Sequence, residues 1–132
     1  MSSTGFPATP VPAVVCLTGA GVLVPWVAYL ASSLPHTYVM ANWNAAWVGF
    51  DLALIVLLGA TGLLARRAHP HQVPAAYLSA AFLLADSWFD VMTSSGTGLA
   101  VALATAVFVE LPLAGFLLRH ASRASLNASS LQ

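Results

Sequence analysis

Carboxyl groups occur in this sequence only within its apolar stretches. The four acidic residues are Asp51, Asp86, Asp90 and Glu110. An Asp in hydrocarbon costs roughly 2.5–3.5 kcal/mol on insertion scales, so a chain that confines its acids to such stretches is expected to use them. No Arg or Lys lies within these stretches to neutralise the acids. Burial and mutual repulsion therefore favour protonated carboxyl groups beside ionised ones, which is a set suited to proton transfer.

Helical spacing places the acids and several aromatic side chains on shared faces. Residues three or four apart are neighbours on a helix, so Asp86 and Asp90 stack on one face. Ionisable groups within a membrane face the interior of a helix bundle or a watery cavity. If each helix turns its polar stripe inwards, the acids meet in one pocket that opens to the outer side. The side chains expected to line this pocket and contact a substrate are Trp26, Tyr29, Asn44, Trp47 and Phe82.

Four apolar stretches are long enough to hold these faces in a membrane. About 20 apolar residues cross the hydrocarbon core, and the stretches cover roughly residues 13–34, 43–65, 73–92 and 98–118. Short connections between them favour antiparallel neighbours. The sequence predicts an all-α integral membrane protein, an up-down four-helix transmembrane bundle over residues 13–119. We expect a flexible N-terminal segment over residues 1–12 and a cytoplasmic tail over residues 120–132.

Composition and charge support this assignment and set an orientation. The chain is 59% hydrophobic and 6% charged, whereas a soluble domain is about 25% charged. Its basic residues, Arg66, Arg67, Arg119 and Arg123, all fall on one side of the predicted bundle. Cytoplasmic loops carry the excess of basic residues, so we expect a multi-pass protein of the cell membrane with both termini cytoplasmic. The few arginines offer no basic surface for nucleic acid.

Neither a cofactor nor a metal site is predicted. The single cysteine excludes a thiolate metal site, and the four histidines lie in loops or at helix ends. A Gly-rich phosphate loop is also absent from the sequence. One alternative stays open, in which Asp86 and Asp90 together with Asp51 hold a divalent cation through oxygen ligands.

Three short strings in the sequence carry a resemblance to a known group. They are Trp47-Val-Gly-Phe-Asp51, Asp86-Ser-Trp-Phe-Asp90 and Glu110-Leu-Pro112. In their Ala/Leu/Val-rich, lysine-free setting, residues 43–118 resemble small four-helix integral membrane proteins of actinobacteria, and this implies the four-helix membrane fold. A looser likeness is to membrane-bound terpene cyclases, which use carboxylic acids and aromatic residues inside a helical bundle.

These features favour an intramembrane acid–base enzyme that acts on an apolar, lipid-soluble substrate of terpenoid or polyketide type. Isomerisation, cyclisation or epoxide opening would need no cofactor. We expect Asp86 or Glu110 as general acid, with Asp51 or Asp90 as base or charge stabiliser. The alternative is a proton- or cation-coupled small transporter or channel that works as a homo-oligomer. A third hypothesis is an accessory subunit whose carboxyl groups only tie helices together.

Overall fold

The computed structural model describes residues 39–130 and five positions before them, residues 22, 24, 25, 28 and 32. Those five positions are helical. The rest of the predicted first span lies outside the described residues, as do Trp26, Tyr29 and the predicted flexible segment 1–12. The chain divides into two compact units, Met1–Ala41 and Asn42–Gln132, and every helix whose bounds are described belongs to the second.

The described part of the chain is all-helical, as its apolar periodicity predicts. The elements are α1 (Trp43–Arg66), α2 (Gln72–Thr93), α3 (Gly96–Thr105), a π-helical segment (Ala106–Glu110, the π segment) and α4 (Leu111–Ser129). Helices α1 and α2 begin and end within a residue of the predicted spans. α3, the π segment and α4 follow one another without a break and continue past Leu118, so residues 120–129 of the predicted tail are helical.

The turn between α1 and α2 is closed by two backbone hydrogen bonds to the end of α1. His69 N–H donates to Leu64 O at 3.0 Å, and Ala68 N–H donates to Ala65 O at 3.1 Å. This pattern is a Schellman motif, in which the residue after the cap adopts the left-handed region. That residue is Ala68, with φ +50°. Pro70 follows and prevents continuation of the helix, so α2 runs back along α1.

Helix α2 lies at the centre of the described fold because it packs against both α1 and α4. α1 and α4 do not pack directly on each other. The buried residues along α2 and α4 are mostly small. They include Ala76, Ser79, Ala80, Ala114 and Ala121. Small side chains let helix backbones approach closely, which is typical of helix pairs in membranes.

A buried hydrogen bond joins α1 to α2 through Thr61 and Ser79. Their hydroxyl oxygens lie 3.0 Å apart, and both residues are buried. The Thr61 hydroxyl donates to Leu57 O at 2.8 Å, so the Ser79 hydroxyl is the one that donates between the helices. The bond therefore fixes the register of α1 on α2.

We expect Thr61→Val to lower the free energy of unfolding by about 0.6–1 kcal/mol, the usual range for a hydrogen bond between membrane helices. Valine keeps the shape of threonine and removes only the hydroxyl. Unfolding by SDS in mixed micelles measures the change, and Ser79→Ala completes a double-mutant cycle. Strictly additive effects of the two substitutions would contradict an energetic coupling between the hydroxyls.

Within the described residues, two helical stretches are long and apolar enough to cross a membrane, α1 and Gly96–Asn127. Only 11% and 28% of their apolar windows are buried within the protein. Large apolar side chains point outwards along both, among them Ile55 (64% exposed), Val56 (67%) and Phe108 (78%). Such exposure is typical of helices in contact with lipid or with a partner. Helix α2, which carries two aspartates, is not one of these stretches, and the four-helix bundle stays a prediction.

Candidate functional site

Three of the four acids converge where α2 passes the π segment. α2 contributes Asp86 and Asp90, one turn apart, and the π segment contributes Glu110. One carboxylate oxygen from each lies within 4.8 Å of the other two. Asp86 is buried, with 8% exposed, whereas Asp90 and Glu110 are half-buried. We call these three residues the carboxyl cluster.

A π turn positions Glu110 in the carboxyl cluster. Leu111 N–H donates to Ala106 O, five residues back, where an α-helix would use the carbonyl four residues back. Pro112 lies at the start of α4 and has no N–H to donate. The extra residue in the turn changes the direction of the side chains around it, and such turns are frequent at functional sites. The sequence signal was Pro112, which predicts a kink but not this widened turn.

Ser87 links the carboxyl cluster to the backbone of α2. Its hydroxyl contacts Glu110 Oε2 and lies 3.0 Å from Leu83 O. A hydroxyl has one proton and can donate to only one of these acceptors at a time. The Ser87 proton is therefore shared between Leu83 O and Glu110 Oε2, and this contact fixes the position of the Glu110 carboxyl group against α2.

Sequence reasoning did not include Ser87 among the candidate residues. Its position three residues before Asp90 places it on the face of that acid. The available sequence signal was a hydroxyl on the same face as an acid in an otherwise apolar helix. Its role was not visible because the partner, Glu110, comes from another element and is brought close only by helix packing.

Asp86 has a buried polar atom without a partner. Its Oδ1 is inaccessible to solvent and makes no hydrogen bond with any described residue. α2, α3 and the π segment contain no Arg, Lys or His, so none of these elements supplies a counter-charge. An unpartnered ionised oxygen in such a place is costly, and a proton or a bound cation would remove that cost.

A cleft of about 450 Å³ opens beside the carboxyl cluster. Its lining residues include Asp90, Glu110, Ser94, Thr97 and Thr105. Asp86 does not line the cleft and lies behind the two other acids. This volume falls in the range of small-molecule sites. The cleft therefore gives a small ligand access to two of the three carboxyl groups.

The structure does not bring Asp51 into the carboxyl cluster. Asp51 is exposed on α1, although it is within electrostatic reach of Asp86 and Asp90. The face of α1 that packs on α2 runs through Phe50 and Leu54, and Asp51 follows Phe50 by one position. Asp51 also lies four positions after Trp47 and three before Leu54, so it is at the edge of this contact, where its side chain stays exposed.

Of the aromatic residues predicted to line a substrate pocket, the structure describes Phe82 and Trp47, and both contribute to the contact between α1 and α2. Phe82 stacks on Phe50 with ring centroids 5.1 Å apart. Trp47 makes an edge contact with Phe89 at 6.4 Å. Asn44 is exposed near the beginning of α1. Neither Phe82, Trp47 nor Asn44 lines the cleft beside the carboxyl cluster.

The carboxyl cluster also has the dimensions of a cation site. Two oxygens bound to one Ca²⁺ at 2.3–2.6 Å can be at most about 5 Å apart, and the three carboxylate oxygens satisfy this limit. The cation alternative from the sequence combined Asp86 and Asp90 with Asp51. The structure places Glu110 beside the pair instead, so protons and a cation are two alternative occupants of the same site.

Comparisons with protein-family models, curated proteins and solved structures found no match to this chain. The described fold and site define its class as an all-helical protein with two apolar helical stretches of membrane-spanning length and a carboxyl cluster that includes the buried Asp86. The resemblances to small actinobacterial membrane proteins and to terpene cyclases stay predictions. Function has to be argued from the site itself.

Proposed function

We propose that this protein is an intramembrane acid–base enzyme that acts on an apolar, lipid-soluble substrate. The observation that carries the proposal is the carboxyl cluster, whose oxygens lie within 4.8 Å of one another, beside a cleft lined by two of its members. Like charges so close cannot all ionise at low cost, so the cluster holds acid and base forms together. Terpenoid- or polyketide-like molecules would reach such a site through the lipid.

The proposed setting is the cell membrane, with a multi-pass four-helix bundle and both termini cytoplasmic. Two apolar stretches with mostly exposed side chains support it. The small residues between α2 and α4 also support it, since helix pairs in membranes use such interfaces. The four arginines orient the bundle, because they lie at the end of α1, in the α1–α2 connection and in α4 beyond the apolar core.

The two acids that line the cleft take the direct roles. Glu110 is the general acid, because it lines the cleft and its contact with Ser87 positions its carboxyl group. It protonates an alkene carbon or an epoxide oxygen of the substrate. Asp90 stabilises the positive charge that develops and then takes a proton from a neighbouring carbon, which leaves an alkene and ends an isomerisation, a cyclisation or an epoxide opening. Asp90 gives this proton to solvent in the cleft and Glu110 takes a new one from solvent, so no cofactor is needed.

Deuterium incorporation from D₂O tests this proposal across a range of substrate candidates at once. Protein in lipid vesicles is incubated with a panel of apolar isoprenoid and polyketide alkenes and epoxides, and mass spectrometry measures solvent deuterium in the recovered compounds. We expect Asp90→Asn to lower the incorporation rate at least about a hundredfold. Asp51→Asn is the matched control, since Asp51 is exposed and outside the carboxyl cluster. A wild-type protein that transfers no deuterium to any compound would contradict the enzyme.

A proton- or cation-coupled transporter that works as a homo-oligomer is the second candidate. The spacing of the three carboxylate oxygens, which suits one shared cation, favours it. Proton and Ca²⁺ flux can be measured in the same vesicles with entrapped dyes. Flux that disappears in Asp86→Asn, in a protein that incorporates no deuterium, would support the transporter and reject the enzyme.

A further inference from the structure

A second cavity lies between α1 and α4, away from the carboxyl cluster. Its volume is about 260 Å³, and His120 of α4 is part of its lining. His120 Nε2 and Gln72 Oε1 lie 3.0 Å apart, which ties this region to the beginning of α2. Asp90 lies near the other end of α2, about 27 Å from Gln72 at 1.5 Å per residue. We call this cavity the groove.

The groove is built from one stripe of each neighbouring helix. Its lining residues recur every three or four positions, as Leu58, Gly62 and Ala65 on α1 and Leu113, Phe116 and His120 on α4. The groove exists because α1 and α4 both pack on α2 but not on each other. A Cβ added at Gly62 would meet no atom within 4 Å, so the space beside this residue is open.

The polar groups of the groove are already engaged. The Thr61 hydroxyl donates to Leu57 O and contacts the Ser79 hydroxyl. The His120 ring is bound to Gln72 through Nε2 and stacks on Phe116 at 6.4 Å. A ligand of the groove therefore meets apolar surface along most of its length, which an acyl chain matches.

Positive charge surrounds the end of the groove. Arg66 follows Ala65 on α1, Arg119 precedes His120 on α4, and both arginines are exposed. Arg67 and Arg123, also exposed, add to the charge at this end. All four acidic side chains lie elsewhere. Asp51 precedes Leu58 on α1, and the other three form the carboxyl cluster. Among the described residues that line the groove there is no carboxylate to neutralise the arginines.

We infer that the groove binds an anionic phospholipid, with one acyl chain between α1 and α4 and the phosphate at Arg66 and Arg119. The apolar lining matches the chain, and the arginines match the headgroup, so a single ligand class satisfies both observations. Basic residues next to a membrane each add about a fivefold preference for anionic lipid, the equivalent of roughly 1 kcal/mol. This inference does not depend on the chemistry of the carboxyl cluster.

Native mass spectrometry of the full chain in a neutral detergent tests this inference. The probes are dioleoyl phosphatidylglycerol, dioleoyl phosphatidylcholine and free glycerol phosphate. We expect the anionic lipid to bind most tightly and glycerol phosphate not to bind, because it has no acyl chain. The pair Arg66→Gln and Arg119→Gln should weaken phosphatidylglycerol binding about 25-fold and leave phosphatidylcholine binding unchanged.

A groove-filling variant separates this site from general attraction to the arginines. Gly62→Phe places a ring in the open space and should abolish lipid binding, whereas Gly59→Phe, exposed at a similar depth of α1 and outside the groove, should not. Equal binding of the two lipids, or unchanged binding by Gly62→Phe, would overturn the inference. A dimer that phosphatidylglycerol does not dissociate would also overturn it, since a second copy would then occupy the groove.

Discussion

Glu110→Gln is expected to lower deuterium transfer from solvent to substrate by about a hundredfold to ten-thousandfold, the range attributed to a positioned general acid. Glutamine occupies nearly the volume of protonated glutamate, but its amide N–H groups are not acidic enough to transfer a proton at neutral pH. Glu110 is the only member of the carboxyl cluster that both lines the cleft and contacts Ser87. Its loss should therefore reduce the chemical step and leave the affinity for substrate nearly unchanged.

The fold should survive this substitution, which makes the activity measurement interpretable. The glutamine amide can still hydrogen-bond to the Ser87 hydroxyl, so we expect an unchanged melting temperature. Asp51→Asn is the matched acid-to-amide control and should keep wild-type activity. Ser87→Ala keeps the Glu110 carboxyl and removes only its partner, so its activity should lie between those of wild type and Glu110→Gln. Full activity in Glu110→Gln would exclude Glu110 as the acid.

Ala80→Leu is expected to destabilise the protein by about 1–3 kcal/mol, because extra methylenes in a filled core force side chains and backbone apart. Ala80 is 0% exposed and belongs to the core that α2 shares with α1 and α4. The same shift would move α2 relative to the π segment. Activity should therefore fall together with stability, even though Ala80 is not part of the carboxyl cluster.

The neighbouring residue offers a matched control for this substitution. Ala81 is also on α2 but is exposed, so Ala81→Leu adds the same atoms to the outer surface. Unfolding by SDS in mixed micelles compares the two variants under one condition. Equal stability of Ala80→Leu and Ala81→Leu would mean that the spacing of the described helices does not depend on a small residue at position 80.

The helices themselves were predictable from local properties of the chain. The span predicted over residues 43–65 corresponds to α1 (Trp43–Arg66), and the one over 73–92 corresponds to α2 (Gln72–Thr93). Apolar runs and the polar turn residues between them are enough to define such elements. The end of the last helix was less predictable, because α4 continues into a more polar stretch to Ser129 without a breaker residue.

The composition of the carboxyl cluster was only partly predictable. Asp86 and Asp90 are four positions apart, which puts both on one helix face. In the structure, a carboxylate oxygen of each lies within 4.8 Å of the other. The sequence did not determine the third member of the cluster, because Asp51 and Glu110 both lie on elements other than α2.

The sequence by itself determined α1, α2 and the apolar part of the last helical stretch, because periodicity and hydropathy are properties of short segments. It also determined the confinement of every acid to an apolar stretch. Only the tertiary structure decided that Glu110, and not Asp51, joins Asp86 and Asp90. The physical reason for this choice of residue is the packing between helices. Small residues let α2 and α4 approach closely, and the π turn before Pro112 directs the Glu110 carboxyl to Ser87. Aromatic contacts with α2 leave Asp51 on the outer surface of α1.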